Sequence, residues 1–185
     1  MYLLPAEYCI AQVLRHATLG LNASLATAVA EGLQVGSIPL PPPFEAGAIA
    51  AEFEDANVAD TEFPPFEQAL AIEQVEQTRV PAEIFLIAGE RTIQQFPLML
   101  RYKSSKTDQA EALADWFMWQ RIIGRCLQSM MRDQWVSLRE AAGVRIIGFG
   151  EAVFVKSYRT QAGNRVTGGA GMLLEVRDRI PTRVP

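Results

Sequence analysis

Apolar residues recur at helical spacing from the start of the chain. Between residues 5 and 18, Tyr8, Ile10, Val13, Leu14 and Ala17 follow Pro5, which a helix tolerates in its first turn, and Gly20 supplies a stop. Asn22 then precedes SLATAVAEGL, whose Leu25, Ala28, Val29 and Leu33 share one helical face ahead of Gly36. A helical hairpin therefore opens the chain. After Pro81 the pattern shortens to that of strands: AEIFLIAG and QFPLMLRYKS are brief apolar runs separated by ERTIQ.

Asp108, with Glu111 three residues later, forms a capping-box-like start to a long helix over 109–132. Leu113, Trp116, Phe117, Ile123, Leu127, Met130 and Met131 line one broad face, widened by Trp119, Ile122 and Cys126. Only Glu111, Asp115, Arg121, Arg125, Gln128 and Arg132 form a polar stripe. A helix so apolar needs cover on most of its circumference, either wholly from its own core or partly from a neighbouring subunit. VRIIGFG, EAVFVKSYRT and RVTGGAGMLLEVRDRIP follow Gly143, and Gly163 with Asn164 mark a turn, so a hairpin is expected over about 151–176. The order predicts one α+β domain over 1–185: a mostly antiparallel sheet with one long helix packed across it, preceded by N-terminal helices.

Residues 36–80 interrupt this pattern. The segment holds Pro39, Pro41 to Pro43, Pro64 and Pro65, with 9 acidic residues against the single base Arg79. Proline runs favour polyproline II and cannot continue helices or central strands, which predicts an acidic extended insertion beside an α+β core over 81–180. Phe44, Phe53, Phe63 and Phe66 are spaced by polar residues, a pattern suited to docking on another surface or to anchoring an ordered loop.

Composition and charge narrow the function. With 49% hydrophobic and 21% charged residues the chain has material for a core, and no apolar run approaches the roughly 20 residues of a membrane-spanning helix. The opening MYLLPAEYCI lacks the basic region of a secretory signal, so folding in the cytoplasm is expected. Residues 1–100 carry 13 acidic and 3 basic side chains, a net of -10, whereas residues 101–185 carry 8 and 14, a net of +6. That polarity fits a nucleic-acid footprint in the C-terminal half, against which the pI of 5.1 argues, or head-to-tail association of copies, with Arg121, Arg125, Arg132, Arg145, Arg159 and Arg165 as basic candidates opposite the acidic, aromatic insertion; segregated solvated surface is the plain alternative.

Catalytic chemistry finds little support. His16 is the one histidine, and Cys9 and Cys126 are the only cysteines, which excludes multi-histidine metal sites and thiolate knuckles; both thiols are expected to be inert and His16 to be a helix-surface or packing residue. GFG at 148–150 and TGGAG at 167–171 lack the G-K-[ST] and G-x-G-x-x-G contexts of phosphate loops and are expected to be strand bulges or flexible loops. Glu52, Glu54 and Asp55 lack the spacing of a calcium loop. Arg145, Lys156, Arg159 and Arg165 lack interleaved aromatics that would stack single-stranded bases. No catalytic residue, cofactor or metal ligand is assigned.

The segment VPAEIFLIAG at 80–89, the strand FPLMLRYK at 96–103 running into DQAEALADWFMWQRIIGRCLQSM, and the closing MLLEVRD at 172–178 resemble the tail terminator proteins of long-tailed bacteriophages. That resemblance implies a structural virion subunit, synthesised in the host cytoplasm, forming a homo-oligomeric ring of six that caps the tail tube at the neck and joins it to the head connector. It also implies DNA passing through the lumen without sequence-specific binding, and no membrane. Two other classes remain open on the residues: a cytoplasmic adaptor binding a partner through its proline-rich segment, and a small nucleotide-binding or hydrolytic enzyme.

Overall fold

The computed structural model describes residues 5–33, 36–37, 40–52, 54, 63–75, 85–87, 91–129, 146–149, 153–162 and 165–181. Two short helices, α1 (Ala6–Arg15) and α2 (Leu21–Ala30), lead into strands β1 (Ile49–Ala51), β2 (Ala69–Gln74), β3 (Phe85–Ile87) and β4 (Arg91–Lys103). The long helix α3 (Gln109–Ser129) follows, then β5 (Ile146–Phe149), β6 (Val153–Ala162) and β7 (Arg165–Pro181). The fold is α+β: two helices, four strands, the long helix and three further strands, with the described strands forming one seven-stranded sheet.

The sheet runs β1-β2-β4-β7-β5, with β3 paired to β4 and β6 paired to β7. Every pairing is antiparallel except that of β1 with β2. Its spine is the β4–β7 ladder, in register from Arg91 opposite Pro181 to Lys103 opposite Gly169. Arg91 to Gln94 of the ERTIQ segment, which separates two apolar runs in the sequence, are part of β4, and Arg91 to Ile93 pair antiparallel with Phe85 to Ile87. The predicted C-terminal hairpin pairing is present, β6 lying antiparallel to β7 with Ala162 opposite Arg165.

One face of the sheet presents Leu70, Ile72, Leu98, Leu100, Tyr102, Met172 and Leu174, all buried. These meet Ile10, Val13 and Leu14 of α1, Leu21 and Leu25 of α2, and Trp116, Trp119, Ile122 and Ile123 of α3 in one apolar cluster. α1 packs on β1 and β2, while α3 packs chiefly on α2 and on β7. The α1–α2 corner needs glycine: a Cβ on Gly20 would lie 2.4 Å from the carbonyl oxygens of Leu14 and His16. α2 closes earlier than the sequence pattern suggested. Gly32, at φ 73°, accepts the left-handed conformation, and Leu33 N–H donates to Ala28 O while Gly32 N–H donates to Val29 O. Val29, expected on the same face as Leu25 and Ala28, is instead 53% exposed.

For the described residues of 36–80 the expectation of an extended insertion is corrected in favour of the ordered, aromatic-anchored alternative. Residues 49–51 and 69–74 are sheet strands, and Phe44 is a core residue, 5% exposed. Its ring lies 4.5 Å from that of Trp119 and 6.3 Å edge-on from that of Tyr102, which stacks in turn on Trp116 at 5.3 Å. Burying such rings contributes on the order of 1.5–3 kcal/mol each, more than a surface arm recovers by staying extended. Polar side chains then fix the irregular backbone. The Asn22 amide clamps Phe44, accepting from its N–H and donating to its C=O, both at 2.8 Å. Gln68 Nε2 donates to Pro42 O at 2.8 Å while its Oε1 accepts from Tyr102 Oη at 3.1 Å, and Lys103 Nζ donates to Phe66 O at 2.8 Å. The prolines set the path of the chain here without removing it from the fold.

Candidate interaction surface

α3 begins as its sequence indicates, with Asp108 Oδ1 accepting from the N–H groups of Ala110 and Glu111. Its exposed face carries Glu111, Phe117, Arg121, Arg125 and Gln128. Phe117, expected on the buried side, is 54% exposed, whereas Asp115, expected on the polar stripe, is fully buried. The two exchange roles because the helix meets α2 as well as the sheet, which rotates its covered arc. Asp115 Oδ2 lies 3.4 Å from Ser104 Oγ, and Oδ1 has no hydrogen-bond partner. Burial, assisted by Glu111, pushes the Asp115 carboxyl above its ordinary range against the pull of Lys106 and the Ser104 hydroxyl.

The predicted interface residues separate in space. Phe44 lies in the core and is withdrawn from the interface set for the reason given above. Phe63 is half-buried against Ala50 and Ala71 on the sheet face opposite the helices, where the Arg101 guanidinium sits 5.2 Å from its ring centroid. Phe66 packs against the rim of the main core. Arg121 is exposed, and Arg125 pairs with Glu31, the C-cap of α2, at 2.7 Å in an exposed ion pair that ties the two helices. Arg159 and Arg165 are strand positions of β6 and β7, on the C-terminal hairpin. Phe53, Arg132 and Arg145 lie outside the described residues.

The same opposite sheet face carries a second ion pair, Arg101 Nε to Glu73 Oε1 at 3.1 Å. Burial raises the Glu73 carboxyl, with Glu52 adding to the rise and Arg101 opposing it. At the sheet edge, Arg15 at the end of α1 donates to Ile49 O and pairs with both carboxylate oxygens of Glu54. Nothing in the residue pattern announces this contact, since Arg15 and Glu54 are 39 positions apart.

The remaining chemical candidates take structural places. His16 closes α1, its Nδ1 3.4 Å from the Thr18 amide and hydroxyl. Cys126 is a buried thiol that donates to Leu19 O at 3.3 Å, its ionisation pushed up to about 12 by burial, and Cys9 is buried as well. Residues 167–171 run inside β7 rather than in a loop, and the irregularities fall on the partner strands, between Ile146 and Gly148 of β5 and between Phe154 and Lys156 of β6. Glu52 Oε2 accepts from Gln74 N–H at 3.3 Å, and Asp55 lies outside the described residues. Among the described residues no group of three or more His, Cys, Asp or Glu is placed to hold a metal ion, and no helix is long and apolar enough to cross a membrane.

What the arrangement offers is surface: an exposed aromatic and basic helix face, an exposed apolar position on α2, and a long antiparallel ribbon. No protein-family model matches the chain, and no curated protein matches it.

Proposed function

We propose that this chain is a structural subunit of a tailed-bacteriophage virion, a ring-forming tail terminator or neck protein that closes the tail tube and joins it to the head connector. The observation that carries the reading is where the resembling segments fall. Residues 96–103 lie on β4, their continuation is α3, and 172–178 lie on β7, the direct partner of β4. Sequence patterns far apart along the chain are thus one connected spine.

Two further features support a subunit that associates through its surface. Phe117 and Val29 expose large apolar side chains on the helical layer. The two halves of the chain carry opposite net charge, -10 against +6, which favours a heterologous contact of unlike patches, the kind that closes into a ring. DNA would pass through the lumen held by shape and charge, without base readout.

Sedimentation and electron microscopy of the purified chain test the proposal. The expected result is a closed ring of six around a lumen that loosens as salt rises, because exposed ion pairs are screened over about 8–10 Å. A Phe117→Asp substitution should weaken the ring while leaving the fold intact. A strictly monomeric particle at high concentration and low salt, also in the presence of tail-tube protein, overturns it.

A further inference from the structure

Among the described residues, the β1 edge of the sheet is met by two side chains and a tight turn instead of by a strand. Among the described residues β1 is a terminal strand of the sheet, with its parallel partner β2 as its one strand neighbour. Ala48 O accepts from Leu70 N–H and Glu52 N–H donates to Ile72 O, so the alternation of the backbone turns Ile49 and Ala51 outward, away from β2. An outward edge of this kind is a template for another strand. The strand itself has none of the usual guards, since Ile49, Ala50 and Ala51 include no charge and no proline.

Three outward groups are nonetheless satisfied. Ile49 O accepts from Arg15, through Nε at 2.6 Å and through Nη2. Ala51 N–H donates to Glu54 Oε2 at 3.3 Å, and Ala51 O accepts from Glu54 N–H at 2.9 Å. The two side chains are also locked to each other, Nη1 to Oε1 at 2.8 Å and Nη2 to Oε2 at 2.6 Å. A donor faces the carbonyl, an acceptor faces the amide, and the ion pair joins them, so together they present to β1 what a neighbouring strand would present.

We propose that the Arg15–Glu54 pair is an edge guard that blocks strand addition at β1, and that its removal lets the β1 edge of a second copy of this chain pair with the first. The second copy is the fitting occupant because a strand edge is complementary to itself in antiparallel orientation, and a short apolar edge free of charge and proline offers nothing to repel its own image. The guard is independent of the ring contact proposed above, which uses the helical layer.

The test compares the full chain with Glu54→Ala, with Arg15→Met, and with the charge-swapped double variant Arg15→Glu/Glu54→Arg, by hydrogen exchange and by sedimentation over a concentration series. At low concentration Glu54→Ala should speed exchange of the Ala51 amide by about tenfold, the worth of one charge-assisted hydrogen bond. At high concentration it should give a species larger than any the unaltered chain forms, in which the Ile49–Ala51 amides are protected again. Arg15→Met, which keeps an apolar stem, should give the same larger species and covers the case of a misfolded Glu54→Ala. The swapped variant keeps opposite charges but sets a carboxylate against a carbonyl and a guanidinium against an N–H, so it should behave like the single variants. Restoration by the swap would reduce the pair to an ordinary salt bridge and overturn the proposal. Faster exchange at Ala51 with no new species, or a new species that leaves Ala51 unprotected, overturns it equally.

Discussion

Truncating Phe44 tests whether the proline-rich segment is part of the fold. The ring is 5% exposed, 4.5 Å from Trp119 and 6.3 Å from Tyr102, so Phe44→Ala removes buried apolar surface and leaves a hole between two large rings that cannot both relax into it. Core Phe→Ala changes cost about 3–5 kcal/mol, and the upper part of that range is expected here because two aromatic pairings are lost together. Phe117→Ala is the control, the same atoms removed from a ring that is 54% exposed, and should cost under about 1 kcal/mol. For a domain of this size each kcal/mol moves the melting midpoint by about 2–4 °C, which predicts a drop of roughly 6–20 °C for the first variant and a few degrees or less for the second. Urea titration and thermal melting at a concentration low enough to exclude assembly would measure both. A Phe44→Ala protein within about 1 kcal/mol of the parent would refute the reasoning, since the ring would then have no core to leave.

Three other outcomes follow from described contacts. Asn22→Ala unclamps both polar groups of the Phe44 backbone and should cost about 1–3 kcal/mol in urea unfolding, although the side chain is at the surface. Asp115 has a folded-state carboxyl raised above its unfolded value, so the neutral form favours folding, and stability should fall as pH rises from the ordinary carboxylate range through the raised one. Asp115→Asn should flatten that stretch of the urea midpoint against pH and stand above the parent at neutral pH; an unchanged slope counts against a buried carboxyl. With both cysteines buried and Cys126 ionising only near pH 12, neither thiol should react with a disulfide reagent at pH 8 until urea unfolds the chain, and rapid labelling of the native protein would contradict the packing around α3.

Local signals were read correctly from the sequence where one residue type has one local use. Asp108 caps α3, β6 and β7 pair on either side of the Gly163–Asn164 turn signal, and the apolar run FPLMLRYK falls on β4. Long-range features were less legible. Prolines and acidic residues around Phe44 suggested an arm because composition reports what a segment cannot form alone; Asn22, Gln68 and Lys103, which hold it in place, reach it from 22, 26 and 37 positions away. The rotation of α3 that exposes Phe117 and buries Asp115 depends on α2 as a second packing partner, which no periodicity within α3 reveals. The Arg15–Glu54 contact was illegible for the same reason, a pairing between a helix end and a strand edge that only the assembled sheet brings together.

The position of β7 sets a schedule for synthesis. It is the last described strand to be made, yet it stands between β4 and the pair β5 and β6. Until it emerges, β4 has β2 and β3 beside it and an open ladder from Arg91 to Lys103 on its other side, with Leu98 and Leu100 still lacking Leu174 and Met172 as cross-strand neighbours. At about 5–20 residues per second, translating from Lys103 to Pro181 takes roughly 4–16 s. For that interval the nascent chain carries a sheet split along what will be its middle, and folding waits on its C-terminal segment. A ribosome that pauses in those residues leaves exposed the strand edge through which unfinished copies would capture one another.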